Sequence, residues 1–180
     1  MIIRLSAALL GLVSTFAASS PLWAKGDMVR IVIDGGKLVS PVQITDWKTL
    51  TDFVFWDGPG NSGVTLGHAT SGSIIDWKVG IVAEHPIGLQ HYEISFYMMQ
   101  EVPTPRLVYV VFHEYDASSN RGFVYLPGKG EPGGLEEIDS GSIYRGTGVA
   151  GHWFRATQSW ADLVGPLVAK AERAKLLIPR

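Results

Sequence analysis

The sequence predicts an α+β domain, a mostly antiparallel β-sheet with a C-terminal helix packed on one face and a short helix near residues 47–53. Three observations carry that expectation. His91 to Met98 alternates, with Tyr92, Ile94, Phe96 and Met98 on one side and His91, Glu93, Ser95 and Tyr97 on the other, the period of a strand with one face in a core. Arg106 to Tyr115 is nearly all apolar through Leu107 to Phe112, as a central strand covered on both sides should be. Trp160, Leu163, Val164, Leu167, Val168 and Ala171 recur at spacings of three and four residues, the apolar stripe of an amphipathic helix.

The remaining elements follow in chain order. Met28 to Ile33 has the β-branched enrichment of a strand, and Asp34-Gly35-Gly36 is a hairpin-type turn. Lys37 to Ile44 is the expected partner, pushed toward an edge or a bulge because Pro41 lacks a backbone donor. Thr45 or Asp46 can cap a helix from Trp47 to about Phe53, after which Asp57 to Gly63 breaks regular structure and an irregular stretch runs to Gly72. Asp116 to Asn120 reads as a turn, with Gly122 to Leu126 returning beside the apolar strand. Pro127 to Gly134 is rich in glycine and proline and reads as an exposed loop. Short strands near Ser142 to Arg145 and His152 to Ala156 finish the sheet. Thr157 or Ser159 caps the last helix, and Pro166 is expected to kink it or restart it near Gly165. No repeat and no linker divides residues 25–180, which read as a single domain.

The amino terminus predicts export. Arg4 precedes an uncharged run from Leu5 to Ala18, the pattern of a cleavable signal peptide. That run is about 14 residues, short of the roughly 20 that span a bilayer, so no stable membrane anchor is expected after cleavage. Ala17, Ala18 and Ala24 are suitable last residues before a cut, and residues 1–24 are read as the signal segment. The destination is then periplasmic or secreted. The chain has no cysteine, which excludes disulfides, thiolate chemistry and a lipid-modified cysteine. Loss of Arg4 leaves 14 basic against 17 acidic residues, a net charge of −3, and neither nucleic acid nor an anionic membrane surface is an expected partner.

No motif fixes a reaction, and no cofactor is expected. The five histidines show no metal-protease spacing. Glu84, His85, His91 and Glu93 are the candidate metal ligands, because a Pro-Ile-Gly turn between them could fold imidazoles and carboxylates together. His113 and Glu114, at the end of the apolar strand, are candidate general acid and base together with His91 and Glu93, although alternation puts His113 and Glu114 on opposite faces. No serine sits in a nucleophile elbow, and the glycine-rich loop around Lys129 lacks the lysine-serine or lysine-threonine ending and following helix of a phosphate loop.

Aromatic residues crowd the loop-rich end, and Trp47, Trp56 and Trp77, with Lys129, are the candidate ligand-binding residues for a glycan, peptide or protein partner. Trp153 and Trp160 are assigned to the core. The sequence therefore favours an exported, non-enzymatic binding domain over a small hydrolase using histidines and glutamates at strand ends. Three of Glu84, His85, His91, Glu93, His113 and Glu114 meeting within a cleft would favour the hydrolase, metal-assisted or not, and their dispersal would remove it.

Overall fold

A computed structural model describes residues 27–53, 58–59, 73–99, 103–128, 130–131 and 148–176, with side chains to residue 173. The signal segment, Trp56, Lys129 and the strand expected at Ser142 to Arg145 lie outside the described residues.

The elements are β1 (Asp27–Gly35), β2 (Val42–Ile44), α1 (Trp47–Asp52), β3 (Ile81–Val82), β4 (Gln90–Met99), β5 (Arg106–Asp116), β6 (Arg121–Leu126), β7 (His152–Arg155) and α2 (Gln158–Leu176). The strands form one seven-stranded sheet in the order β2-β1-β4-β5-β6-β7-β3, with every pairing antiparallel. This is the α+β fold the sequence predicts. Among the described residues no helix is long and apolar enough to cross a membrane.

Period-two patterning decides which face each side chain takes, and two irregularities keep it in phase. Between Met28 and Arg30 the pairing of β1 with β4 shifts by a residue. Met28 and Ile31, three apart, therefore both reach the core, as a bulge allows. A second shift lies at Phe96/Tyr97, where β5 contributes one residue more than β4. Beyond these points the register carries Ile33, Ile94 and Val111 across one face, and Ile31, Phe96 and Tyr109 beside them. All six are buried.

The helix covers this face. Trp160, Ala161, Val164 and Val168 are buried, and Trp160, Val164 and Val168 join the sheet residues in one apolar cluster. Leu163, a member of the predicted stripe, is only partly buried at the cluster's margin. Thr157 caps α2: its hydroxyl accepts from Trp160 N at 3.2 Å and donates to Ser73 O at 2.8 Å. That second bond ties the helix start to the strand bridge between Ile75 and Ala156. The expected restart near Gly165 does not occur, and α2 runs through Pro166. Pro166 sits on the exposed side, so the carbonyl that loses its partner lies where water can reach it. At the far end Tyr92 Oη donates to Glu172 at 3.1 Å, fastening the last turns of the helix to β4.

The N-terminal hairpin is shorter than predicted. Only Val42–Ile44 pairs with β1, consistent with the missing donor of Pro41 just ahead of it. Asp46 caps α1 by accepting from Thr49 N at 2.9 Å, and those Thr49 hydrogen bonds hold its carboxyl below the usual range. Strand β3 was not anticipated; two residues are too few to show a period.

Candidate functional site

The sheet face opposite α2 carries the polar and aromatic residues. Two rows of side chains cross it in register. One runs His91, Glu114, Phe123, Arg155 along β4, β5, β6 and β7; the next runs Glu93, Phe112, Tyr125, Trp153 over the same strands, reaching Val82 of β3. Cross-strand neighbours on one face stand close enough for side chains to touch. Phe112 and Tyr125 accordingly lie with ring centroids 6.3 Å apart, and Tyr125 and Trp153 with centroids 5.1 Å apart. Phe112, Tyr125 and Trp153 are all half-buried. They form a ladder of three rings across three adjacent strands.

Beside this ladder Glu114 receives two imidazoles. His85, from the segment between β3 and β4, places Nε2 3.0 Å from Glu114 Oε2. His91, directly across the β4–β5 ladder, places Nδ1 3.4 Å from Glu114 Oε1. The His85 ring also stacks on Trp153, centroids 4.2 Å apart and planes 30° apart, and lies 5.8 Å from Phe123. Burial grades along the cluster: the Glu114 side chain is 17% exposed and His85 24%, whereas His91 is 53% exposed. Of the two contacts on this enclosed carboxylate, that of His91 has hydrogen-bond geometry, with donor and acceptor set by the tautomer, and that of His85 is a close approach of ion-pair kind. A third carboxylate marks the ladder, since Tyr125 Oη donates to Glu131 at 2.8 and 3.0 Å. The Gly128 amide donates to the same group at 2.8 Å.

The structure thus brings together three of the sequence-predicted residues, His85, His91 and Glu114. Glu93 is on the same face one position further along β4, exposed, and accepts from Ser95 Oγ at 3.3 Å. Glu84 is exposed in the loop. The metal set Glu84, His85, His91 and Glu93 does not assemble, and among the described residues no three His, Asp or Glu side chains are arranged to hold a metal ion. The two imidazoles approach different oxygens of Glu114 rather than a common point.

His113 stands apart. It lies under α2 on the core face, fully buried, with Trp160 edge-on and Tyr115 stacked. Loss of hydration pushes its pKa down to about 3, and His91 adds to the fall while the Phe123 backbone opposes it without closing a hydrogen bond. The ring is neutral and sealed from solvent, so it cannot exchange protons with a substrate on the Glu114 face.

Of the candidate aromatic residues, Trp77 is fully enclosed and packs edge-on against Phe154, which makes it a core residue rather than part of an accessible surface. Trp47 is 63% exposed at the start of α1, outside the ladder's rows. Trp153, assigned to the core from the sequence, belongs instead to the opposite face. Phe112, Tyr125 and Trp153 were missed as a group, although alternation along each strand puts them on the Glu114 side; the missing information was the strand order that lines them up. Comparison of the chain with protein-family models, with curated proteins and with solved structures finds no match.

Proposed function

We propose that this chain is exported through a cleavable signal peptide and acts without catalysis, as a small domain that binds a ligand or partner chain on the sheet face opposite α2. The observation that carries this reading is the ladder of Phe112, Tyr125 and Trp153 beside the histidine-bracketed Glu114. Half-buried rings in a row offer apolar contact at little entropic cost, and the adjacent carboxylate and imidazoles offer directional hydrogen bonds. The platform lies on rigid strands, so it is formed before a ligand arrives, which lowers the cost of binding.

One observation favours the hydrolase: three of its six candidate residues, His85, His91 and Glu114, do meet. A carboxylate between two imidazoles can move protons. Against this, among the described residues no hydroxyl nucleophile bonds to either imidazole, and the other three candidates, Glu84, Glu93 and His113, are not joined to the group.

Screening the purified protein against arrays of oligosaccharides and peptides tests the proposal. A ligand that is retained unchanged, lost in Trp153→Ala and kept in Trp47→Ala supports it. A ligand that Trp153→Ala binds as well as the parent, or one that the protein cleaves, overturns it.

A further inference from the structure

We propose that the corner formed by Trp153, Phe123 and Glu114 is a site for an arginine side chain of a peptide ligand, and that His85 occupies this site in the free protein as a built-in stand-in. The inference rests on the binding reading above and adds the chemistry of the ligand.

His85 shows what the corner accepts. Its flat ring lies over the indole of Trp153 at 4.2 Å while its Nε2 meets Glu114 Oε2 at 3.0 Å. A planar nitrogen group lying on an aromatic face with its edge toward a carboxylate is the arrangement a guanidinium makes best. The second oxygen of Glu114 faces the more exposed His91 at 3.4 Å. Two separate side chains therefore stand, one against each carboxylate oxygen, where a single guanidinium fork would set a donor to each. Lysine, a point charge without a flat face, satisfies only part of this geometry.

The surroundings are consistent with a displaceable occupant. Ala83, Glu84, Pro86, Ile87 and Gly88 around His85 are all exposed, and Ile87 is wholly so. Departure of His85 therefore forfeits its own contacts and few others. The other charged groups that the strands place on this face are Arg30 and Asp34 on β1, Glu93 on β4, Asp116 on β5, Arg121 on β6 and Arg155 on β7, with Glu131 at the Tyr125 hydroxyl. None of the three arginines pairs with Glu114 among the described residues, Arg30 lying over the Tyr97 ring, which leaves the carboxylate to the imidazoles.

Titration calorimetry with Nα-acetyl-arginine methylamide, and with its lysine and citrulline counterparts, decides the matter for the parent protein, His85→Ala, His85→Gln and the double variant His85→Ala/Glu114→Gln. Removing an internal competitor raises apparent affinity by the reciprocal of the unoccupied fraction, so both His85 variants are expected to bind the arginine probe about tenfold more tightly than the parent. The preference should run arginine over lysine and citrulline, and the double variant should lose it. Equal affinity in the parent and both His85 variants, no preference over citrulline, or no binding by folded His85→Gln would each overturn the proposal. If an arrayed ligand still requires Trp153 while the arginine probe fails, this inference falls and the broader binding reading stands.

Discussion

The ring of His113 meets that of Trp160 edge to face, centroids 6.3 Å apart and planes at 84°, and among the described residues neither ring has a hydrogen-bond partner for its nitrogens. A fully buried imidazole in that position is held neutral, its pKa lowered from 6.5 to about 3 by lost hydration. Once the chain unfolds, the same group takes up a proton below its ordinary value. The unfolded state therefore binds more protons between those limits, and stability falls as the pH drops through them. The loss approaches about 1.4 kcal/mol per pH unit below roughly 6, so several kcal/mol separate pH 7.5 from pH 4. Urea unfolding at the two pH values should show a smaller decrease for His113→Leu than for the parent. An identical decrease would mean that the ring is hydrated in solution.

Beside the same histidine, Gly122 pairs with Tyr115 across the β5–β6 ladder, two residues along from the His113–Val124 pair, and a methyl group added there would collide with the imidazole and crowd Ala156. The neighbours are enclosed strand residues with little room to give. Gly122→Ala, which in an exposed strand would be neutral or favourable, is expected here to cost about 1–3 kcal/mol. Gly165 makes the corresponding approach from the helix, over the Tyr115 hydroxyl, which is itself held by Asn120 at 2.7 Å. Gly165→Ala should therefore lower the melting temperature in spite of alanine's better helix propensity, and Tyr115→Phe should recover part of the loss.

How much of this was legible in the sequence depends on the range of each interaction. Alternation in β4 and the stripe of α2 are local periods, and both predicted the buried residues well. Glu114 and His113 were correctly placed on opposite faces by the same logic. His85 against Glu114 was not legible as a pair, because it depends on a loop folding across β6 and β7 to reach β5. Trp153 was misassigned for a related reason: alternation says that Trp153 and Phe154 differ in face, but only the packing of α2 says which face is the core. Leu163 was overrated because a helical stripe spans more than the strip in contact, and the stripe's centre passes through Trp160, Val164 and Val168.

That correction changes the expected effect of truncating helix side chains. Trp160 is fully buried at the centre of the cluster, packed on Phe53 with centroids 5.3 Å apart as well as on His113. Trp160→Ala should cost about 3–5 kcal/mol, a large fraction of a small domain's stability. Leu163→Ala, at a partly buried margin, should fall below the 2 kcal/mol or so that begins the range for enclosed leucines. Chemical denaturation of the two variants orders them, and a larger loss for Leu163→Ala would show that α2 is rotated about its axis from the arrangement described.

The export proposal makes a prediction about the boundary between leader and fold. β1 begins at Asp27 and is an inner strand, paired with β2 on one side and β4 on the other. It buries Met28, Ile31 and Ile33 beneath α2. A cut after Ala24 leaves all of these in place, whereas removal through Ile31 deletes two buried side chains and opens the edge of β4. Mass spectrometry of protein recovered from the periplasm or the medium should therefore show loss of residues 1–24, and intact Met1 in that fraction would overturn export by cleavage. The same reasoning fixes the stability of the products. A chain starting at Lys25 should unfold cooperatively, with Met28, Ile31 and Ile33 still buried. A chain starting at Val32 should lose several kcal/mol, since each large buried aliphatic side chain contributes about 2–5 kcal/mol, and should fail to melt cooperatively. If the shorter chain melted like the longer one, β1 would be an appendage and the sheet's order around β4 would need revision.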